Sequence, residues 1–442
     1  MVGHSSLSKP VAAALPKAPV RKLTRPLARF LKIESAGGLV LITCTIVALV
    51  LANSSAADAF HRFWHAPLLL QIGTFTLGGE LGHFFVNDVL MTIFFFVVGL
   101  EIKREMVAGE LREWQKAALP VVAALGGMVV PAGIYMALRW GEPDFRGWGV
   151  PMATDIAFVV GVMALLGKRV PFGLKIMLLS LAIADDIGAV LVIAVFYSGG
   201  LDFWAVGLAA GGFAAVVALR NLGVRSQLAY VTIGLVTWTA MYKSGVHPTV
   251  AGVLIGLLTP SEAWVSREAL RLALADVAAR LGEEKAGEVS AEELQVLAFA
   301  SRESVSPLER MEHLLHPWVS FVIMPLFALA NAGVHLEPRL LGEPIAVAVA
   351  LALFLGKPIG VVLFSWLAVR AKVAQLPTGV NWGMLAGGGC LAGIGFTMSL
   401  FVANLAFESE EHLMDAKIGI LSGSVCSAIV GATVLILMGR KR

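Results

Sequence analysis

Four acids and one lysine stand inside runs that are otherwise apolar. Residues 181–190 read LAIADDIGAV, so the neighbouring carboxylates Asp185 and Asp186 lie midway along an oily stretch. Asp155 follows Thr154 in PMATDIAFVVG, Asp88 opens VNDVLMTIFFF, and Lys357 interrupts FLGKPIGVV. An ionised side chain at the centre of a bilayer costs about 2.5–3.5 kcal/mol on insertion scales. These positions are therefore the ones from which chemistry is expected. Adjacent helix residues point about 100° apart, which lets Asp185 and Asp186 border one cavity without presenting identical faces. Two carboxylates that close do not both ionise readily without a cation, and their hard oxygens suit alkali or alkaline-earth ions. The chemistry is exchange of a proton for a metal ion. The plainer alternative is a structural pair bonded to a Ser, Thr or Lys of another helix.

Lys357 is the only cation at depth, and the acids of 172–197 are its natural partners. It can instead offset the C-terminal ends of broken half-helices while Asp155 offsets their N-terminal ends. Pro151 and the Thr154-Asp155 step weaken one helix, and LAGGGCLAGIGFTMSLF, with Gly393, Gly395 and Thr397, weakens another. Irregular backbone at membrane depth is tolerated only where it is buried in protein or lines a watery cavity. Interrupted spans in matching positions of two halves point to a transporter binding site. Nearer the span ends, Glu101 and Glu105 share a turn with Lys103 and Arg104, usually a solvated helix end, while Asp88 lines a mouth. His247, and Glu312, His313 and His316 in ERMEHLLHPWVS, add groups of which the histidines titrate near neutral pH.

Elements must hold these groups in lipid. Of 442 residues, 57% are hydrophobic and 15% charged, against about 25% charged in soluble domains, and the mean hydropathy is +0.81. The net charge of +3 gives no sign of nucleic acid. Cys44, Cys390 and Cys426 lie in apolar runs without metal or disulfide spacing, and no enzyme motif or cofactor site is expected. Spans of about 20 apolar residues fall near 36–53, 84–103, 117–138, 150–167, 172–197, 203–219, 226–242, 245–259, 314–334, 343–369, 378–405 and 416–438. The fold expected is an all-α polytopic membrane protein of about twelve spans. Spans 3–5 and 10–12 form the repeats, and spans 4 and 11 are interrupted. With the N-terminus inside, 27 of the 34 Lys and Arg fall on the inner side, 6 outside, and Lys357 within a span, as the positive-inside rule requires.

The domain reading is a basic tail over 1–34 with a surface helix from Arg21, spans 1–8 over 35–259 with an outside hairpin near 70–80, and a loop over 260–312. Spans 9–12 then cover 313–438, and 439–442 end the chain inside. In the loop, Leu270, Leu272, Leu274, Val277 and Leu281 predict an amphipathic helix. A retained basic tail rather than a cleaved signal peptide is expected, because the apolar region comes too late.

ATDIAFVVG, LKIMLLSLAIADDIGAVLVIAVFY, KSGVHPTVAG, EHLLHPWVSFVIMPLFALANAGV, LGKP and GIGFTMSLF together resemble the NhaA-type sodium/proton antiporters, over roughly 36–260 and 306–440. That family is itself an example of the inverted-repeat, interrupted-helix architecture, so the pattern of spans 4 and 11 and the resemblance are one observation. The resemblance implies a multi-pass protein of the bacterial inner membrane, both termini cytoplasmic, likened to pH-regulated homodimers that expel Na⁺ or Li⁺ electrogenically for more than one proton. By the same resemblance Asp186 is the main cation ligand, Asp185 its partner linked to Lys357, and Thr154 and Asp155 lie where the broken helices cross. Glu101, Glu105, Glu312, His313 and His316 match positions of the cytoplasmic funnel and pH response. His247 matches a histidine tied to pH dependence, and the hairpin a dimer contact. The chain departs from the family in its long loop at about 262–305, its extended tail, and Pro248 after His247. Two other classes share such polar residues: an intramembrane aspartyl protease, which would carry GxGD where this chain reads AIADD, and a cation channel.

Overall fold

Helices 36–52 and 57–64 meet at 117°, the first apolar throughout and the second a short amphipathic arm. The computed structural model describes residues 36–73, 75–224, 226–282 and 291–439. The basic tail, its surface helix from Arg21, and the last three residues lie outside the described residues. After α1 (Ala36–Ala52) and α2 (Ala57–Trp64) comes an antiparallel hairpin, β1 (Pro67–Ile72) and β2 (Phe75–Glu80), in which Pro67 faces Glu80. It starts slightly earlier than the 70–80 expected.

The chain then runs through α3 (Leu81–Ala108), α4 (Trp114–Leu138), a 3₁₀ stretch (Pro143–Met152), α5 (Ile156–Leu166), α6 (Phe172–Phe196) and α7 (Phe203–Asn221). Next are α8 (Gln227–Lys243), α9 (Thr249–Leu258), α10 (Arg267–Gly282) and α11 (Ala291–Glu303). The last are α12 (Pro307–Asn331), α13 (Pro344–Arg370), α14 (Trp382–Ala392), α15 (Phe396–Ala406) and α16 (Glu410–Gly439).

Among the described residues, seven helices are long and apolar enough to cross a membrane, or up to ten if each bent pair is one span. This is a mostly helical, multi-pass membrane protein. The expected twelve is not reached by length alone, because α8 has 17 residues and α9 only 10, short of the roughly 20 that hydrocarbon thickness demands. Ser244, Gly245 and the Pro248 turn cut that pair apart. The loop also holds two helices, α10 and α11, where one was expected.

Packing of the buried helices relies on close backbone approach. A Cβ on Gly360 of α13 would collide with the Gly126 carbonyl of α4, and one on Gly126 with the Gly360 carbonyl. Small residues at such a crossing let helices associate in lipid, where no hydrophobic force drives them together. The crossing puts Lys357 against Gly127, whose added Cβ would stand 3.7 Å from Nζ. At the rim, α7 buries only Ala209 and Val216.

Two breaks interrupt this packing. The 3₁₀ stretch and α5 meet at 40° around Ala153–Asp155, and α14 and α15 meet at 46° around Gly393–Gly395. The breaks touch: the Asp155 N–H donates to the Ile394 carbonyl at 2.7 Å. Each break thus satisfies a backbone group that the other leaves free.

Candidate cation and proton site

Four helix ends converge at the breaks, and their charges are balanced from nearby. Asp155 caps α5 by accepting the Phe158 N–H at Oδ1, 3.1 Å, and accepts the Thr397 N–H at Oδ2, 3.0 Å, together with the Thr397 hydroxyl. One carboxylate therefore serves the positive N-terminal ends of both α5 and α15. Ser424 of α16 completes the second cap, its Oγ accepting the Gly395 and Phe396 N–H groups at 3.2 Å each.

Beside this cap lies the acid pair of α6. Lys357 Nζ donates to Asp185 Oδ2 at 2.5 Å and to Thr154 Oγ1 at 2.8 Å, and the lysine is 0% exposed. The Thr154 hydroxyl stands 2.7 Å from Asp185 Oδ2 and 3.0 Å from the Ala392 carbonyl, and its single proton serves one of them at a time. Asp185 Oδ1 and Asp186 Oδ1 are buried with no hydrogen-bond partner among the described residues. The Ser399 and Ser427 hydroxyls near the second break are in the same condition. In sum, one carboxylate is neutralised by a lysine, and its neighbour is buried, 2% exposed, with an oxygen left over. Unpaired buried oxygens are costly, and a cation, a proton or a water would relieve them.

Of the residues read from sequence, Thr154, Asp155, Asp185, Asp186, Lys357, Gly393, Gly395 and Thr397 come together here. The others do not. Glu101, Glu105 and Glu312 gather at the end of α3, where Arg104 pairs with Glu312 and stands 3.7 Å from Glu105. Glu312 is buried and Glu101 and Glu105 half-buried, so this helix end is less solvated than expected. His313, next to Glu312, and His316, one helical turn on, are exposed. Asp88 is not merely at a mouth: it is 3% exposed, with His83 Nδ1 and His247 Nε2 each 3.6 Å from its carboxylate. His247 also shares a 2.7 Å hydrogen bond with the Thr249 hydroxyl.

Sequence reasoning missed His83, Ser424 and the reach of Arg104 across to Glu312. It also missed an asparagine cluster in which the Asn331 amide donates to Asn87 Oδ1 at 2.9 Å while Asn404 donates to Asn331 Oδ1 at 3.0 Å. A buried asparagine in ALANAGV was the available signal.

Two touching helix breaks beside a buried carboxylate pair and a lysine define the class: a multi-pass membrane protein with charged groups buried among its helices. The sequence model of the family described as Na⁺/H⁺ antiporter 1 matches residues 28–435. The chain is 49% identical to the Na⁺/H⁺ antiporter NhaA of Rhodopirellula baltica over 427 residues, 96% of each chain. It is 48% identical to that of Rhizobium meliloti over 96% of this chain and 97% of the relative, and 50% identical to NhaA 2 of Sorangium cellulosum over 94% and 91%. The chain belongs to the Na⁺/H⁺ antiporter 1 family.

Proposed function

We propose that the chain is a secondary transporter that expels Na⁺ or Li⁺ in exchange for protons, through one seat formed by Asp185 and Asp186. The observation that carries this reading is the unequal treatment of two adjacent carboxylates: Lys357 neutralises Asp185, and Asp186 Oδ1 has no hydrogen-bond partner among the described residues. A cation entering the seat binds Asp186 and competes with Lys357 for Asp185. When protons are abundant they occupy the same oxygens, and the ion leaves. Exchange then needs no separate coupling device, because occupancy by one species excludes the other. If Lys357 releases its proton as Asp185 turns to the ion, two protons exchange for each Na⁺, and the cycle carries net charge.

Access alternates as the helices carrying the breaks rock against the rest of the protein, while Asp155 and Ser424 hold the half-helix ends in place. Taking each bent pair as one span and adding the short α8 and α9 gives twelve spans, and this reading places both termini in the cytoplasm of a bacterial cell, in its inner membrane. Glu101, Glu105 and Glu312, with His313 and His316 close by, make up the pH-responsive entrance, and Asp88 with His247 does so at the other end. The hairpin of β1 and β2 is the natural dimer contact.

The test is proton flux in everted vesicles or proteoliposomes on adding Na⁺, Li⁺ or K⁺ across a pH series. Proton release on Na⁺ or Li⁺ addition supports antiport. Na⁺ flux that proceeds without any proton movement would make the protein a channel instead.

A further inference from the structure

We propose that the groove between α13 and α14 binds an anionic diacyl phospholipid, with an acyl chain along the groove and the headgroup phosphate at Arg370 and Lys372. The groove has a volume of about 590 Å³ and is lined only by apolar surface. Its α13 wall, Ile359, Leu363 and Trp366, follows the spacing i, i+4, i+7, a single helix stripe, and Trp382 begins the opposite wall. Continuing that stripe by one turn reaches Arg370, the last residue of α13. Lys372 follows in a left-handed turn at φ 60°.

Both cations are exposed, and no carboxylate pairs with either among the described residues. Tryptophans sit at headgroup level in membrane proteins, so Trp366 and Trp382 mark where tail gives way to headgroup. Juxtamembrane Lys and Arg attract anionic lipid. A second apolar groove, about 330 Å³ between α7 and α8, shows the contrast. Its terminal cation, Lys243, already donates to the Thr76 carbonyl at 3.0 Å. The floor of the α13–α14 groove is Pro358, next to Lys357, and Cys390, three residues before Gly393. A lipid seated there packs on both helices that carry the ion site. The inference goes beyond the transport reading and requires only that the protein lie in a bilayer.

Cys390 reports occupancy. The chain has three cysteines, so Cys44→Ser with Cys426→Ser leaves one thiol, in the groove. In delipidated detergent-solubilised protein, the rate of Cys390 alkylation by N-ethylmaleimide is followed while phosphatidylglycerol, phosphatidylcholine of the same chains, or inorganic phosphate is added. Half-protection is expected at about tenfold less phosphatidylglycerol than phosphatidylcholine, with no protection by phosphate alone. Arg370→Gln with Lys372→Gln brings the two lipids together, and Ala386→Trp, which fills the groove, removes protection by either. Equal protection by both lipids in the unsubstituted cations, protection by neither, or an advantage for phosphatidylglycerol that survives Arg370→Gln with Lys372→Gln overturns the proposal.

Discussion

Lys357 Nζ and Asp185 Oδ2 lie 2.5 Å apart, both side chains sealed from solvent, on helices 172 residues apart in sequence. The pair gives Asp185 a counter-ion inside the protein, and no ion pair reaches Asp186 among the described residues. Removing one partner of a buried pair leaves an uncompensated charge, at about 3–5 kcal/mol. Lys357→Ala is therefore expected to lower the thermal midpoint in detergent. Adding Asp185→Asn to Lys357→Ala should restore part of the loss, a coupling that a double-mutant cycle of melting curves reads directly. Strict additivity would show that the pair contributes nothing jointly.

Asp186→Asn is expected to behave oppositely. Among the described residues Asp186 Oδ1 has no hydrogen-bond partner to lose, so the amide keeps the shape and removes the charge. Its melting midpoint should match or exceed that of the parent, and Na⁺-driven proton flux in proteoliposomes should vanish. Retained flux would remove Asp186 from the seat.

Asp155 holds two helix N-termini, so its loss is structural first. Replacing an N-cap acid by Ala costs about 0.5–2 kcal/mol per helix, and Asp155→Ala forfeits contacts to both α5 and α15. We expect a larger fall in melting midpoint than for Asp186→Asn. Asp155→Asn should lose less, because its amide oxygen still accepts one of the N–H groups.

The crossing of α4 and α13 tolerates no Cβ. Gly360→Ala must push the Gly126 backbone away, moving Lys357 three residues earlier. Overpacking of this kind costs about 1–3 kcal/mol. Melting and transport should both decline, whereas Gly133→Ala on α4, where an added Cβ meets nothing within 4 Å, should leave both unchanged.

What could be read in sequence follows from the range of each signal. Asp185, Asp186, Asp155 and Lys357 stood out because a charge in an apolar run is visible locally, and Gly393 and Gly395 because glycine weakens a helix where it stands. The apolar helices were legible from hydropathy, α8 and α9 included, although these two are shorter than a full span. Arg104 with Glu312 and Asn87 with Asn331 are joined across 208 and 244 residues, and nothing in either local stretch names its partner. Ser424 was invisible for a similar reason. A serine in a membrane helix usually bonds back to its own turn, and only the fold brings this one over the start of α15.

The central claim is that metal ion and proton compete for the same two carboxylates. Its most direct test is the apparent Na⁺ affinity of purified protein, measured by calorimetry across a pH series. Reciprocal linkage predicts that affinity weakens steadily as pH falls, by up to about tenfold per pH unit for each proton displaced, and that Asp186→Asn abolishes the binding heat. A Na⁺ affinity that stays constant with pH in protein with Asp186 intact would contradict the account.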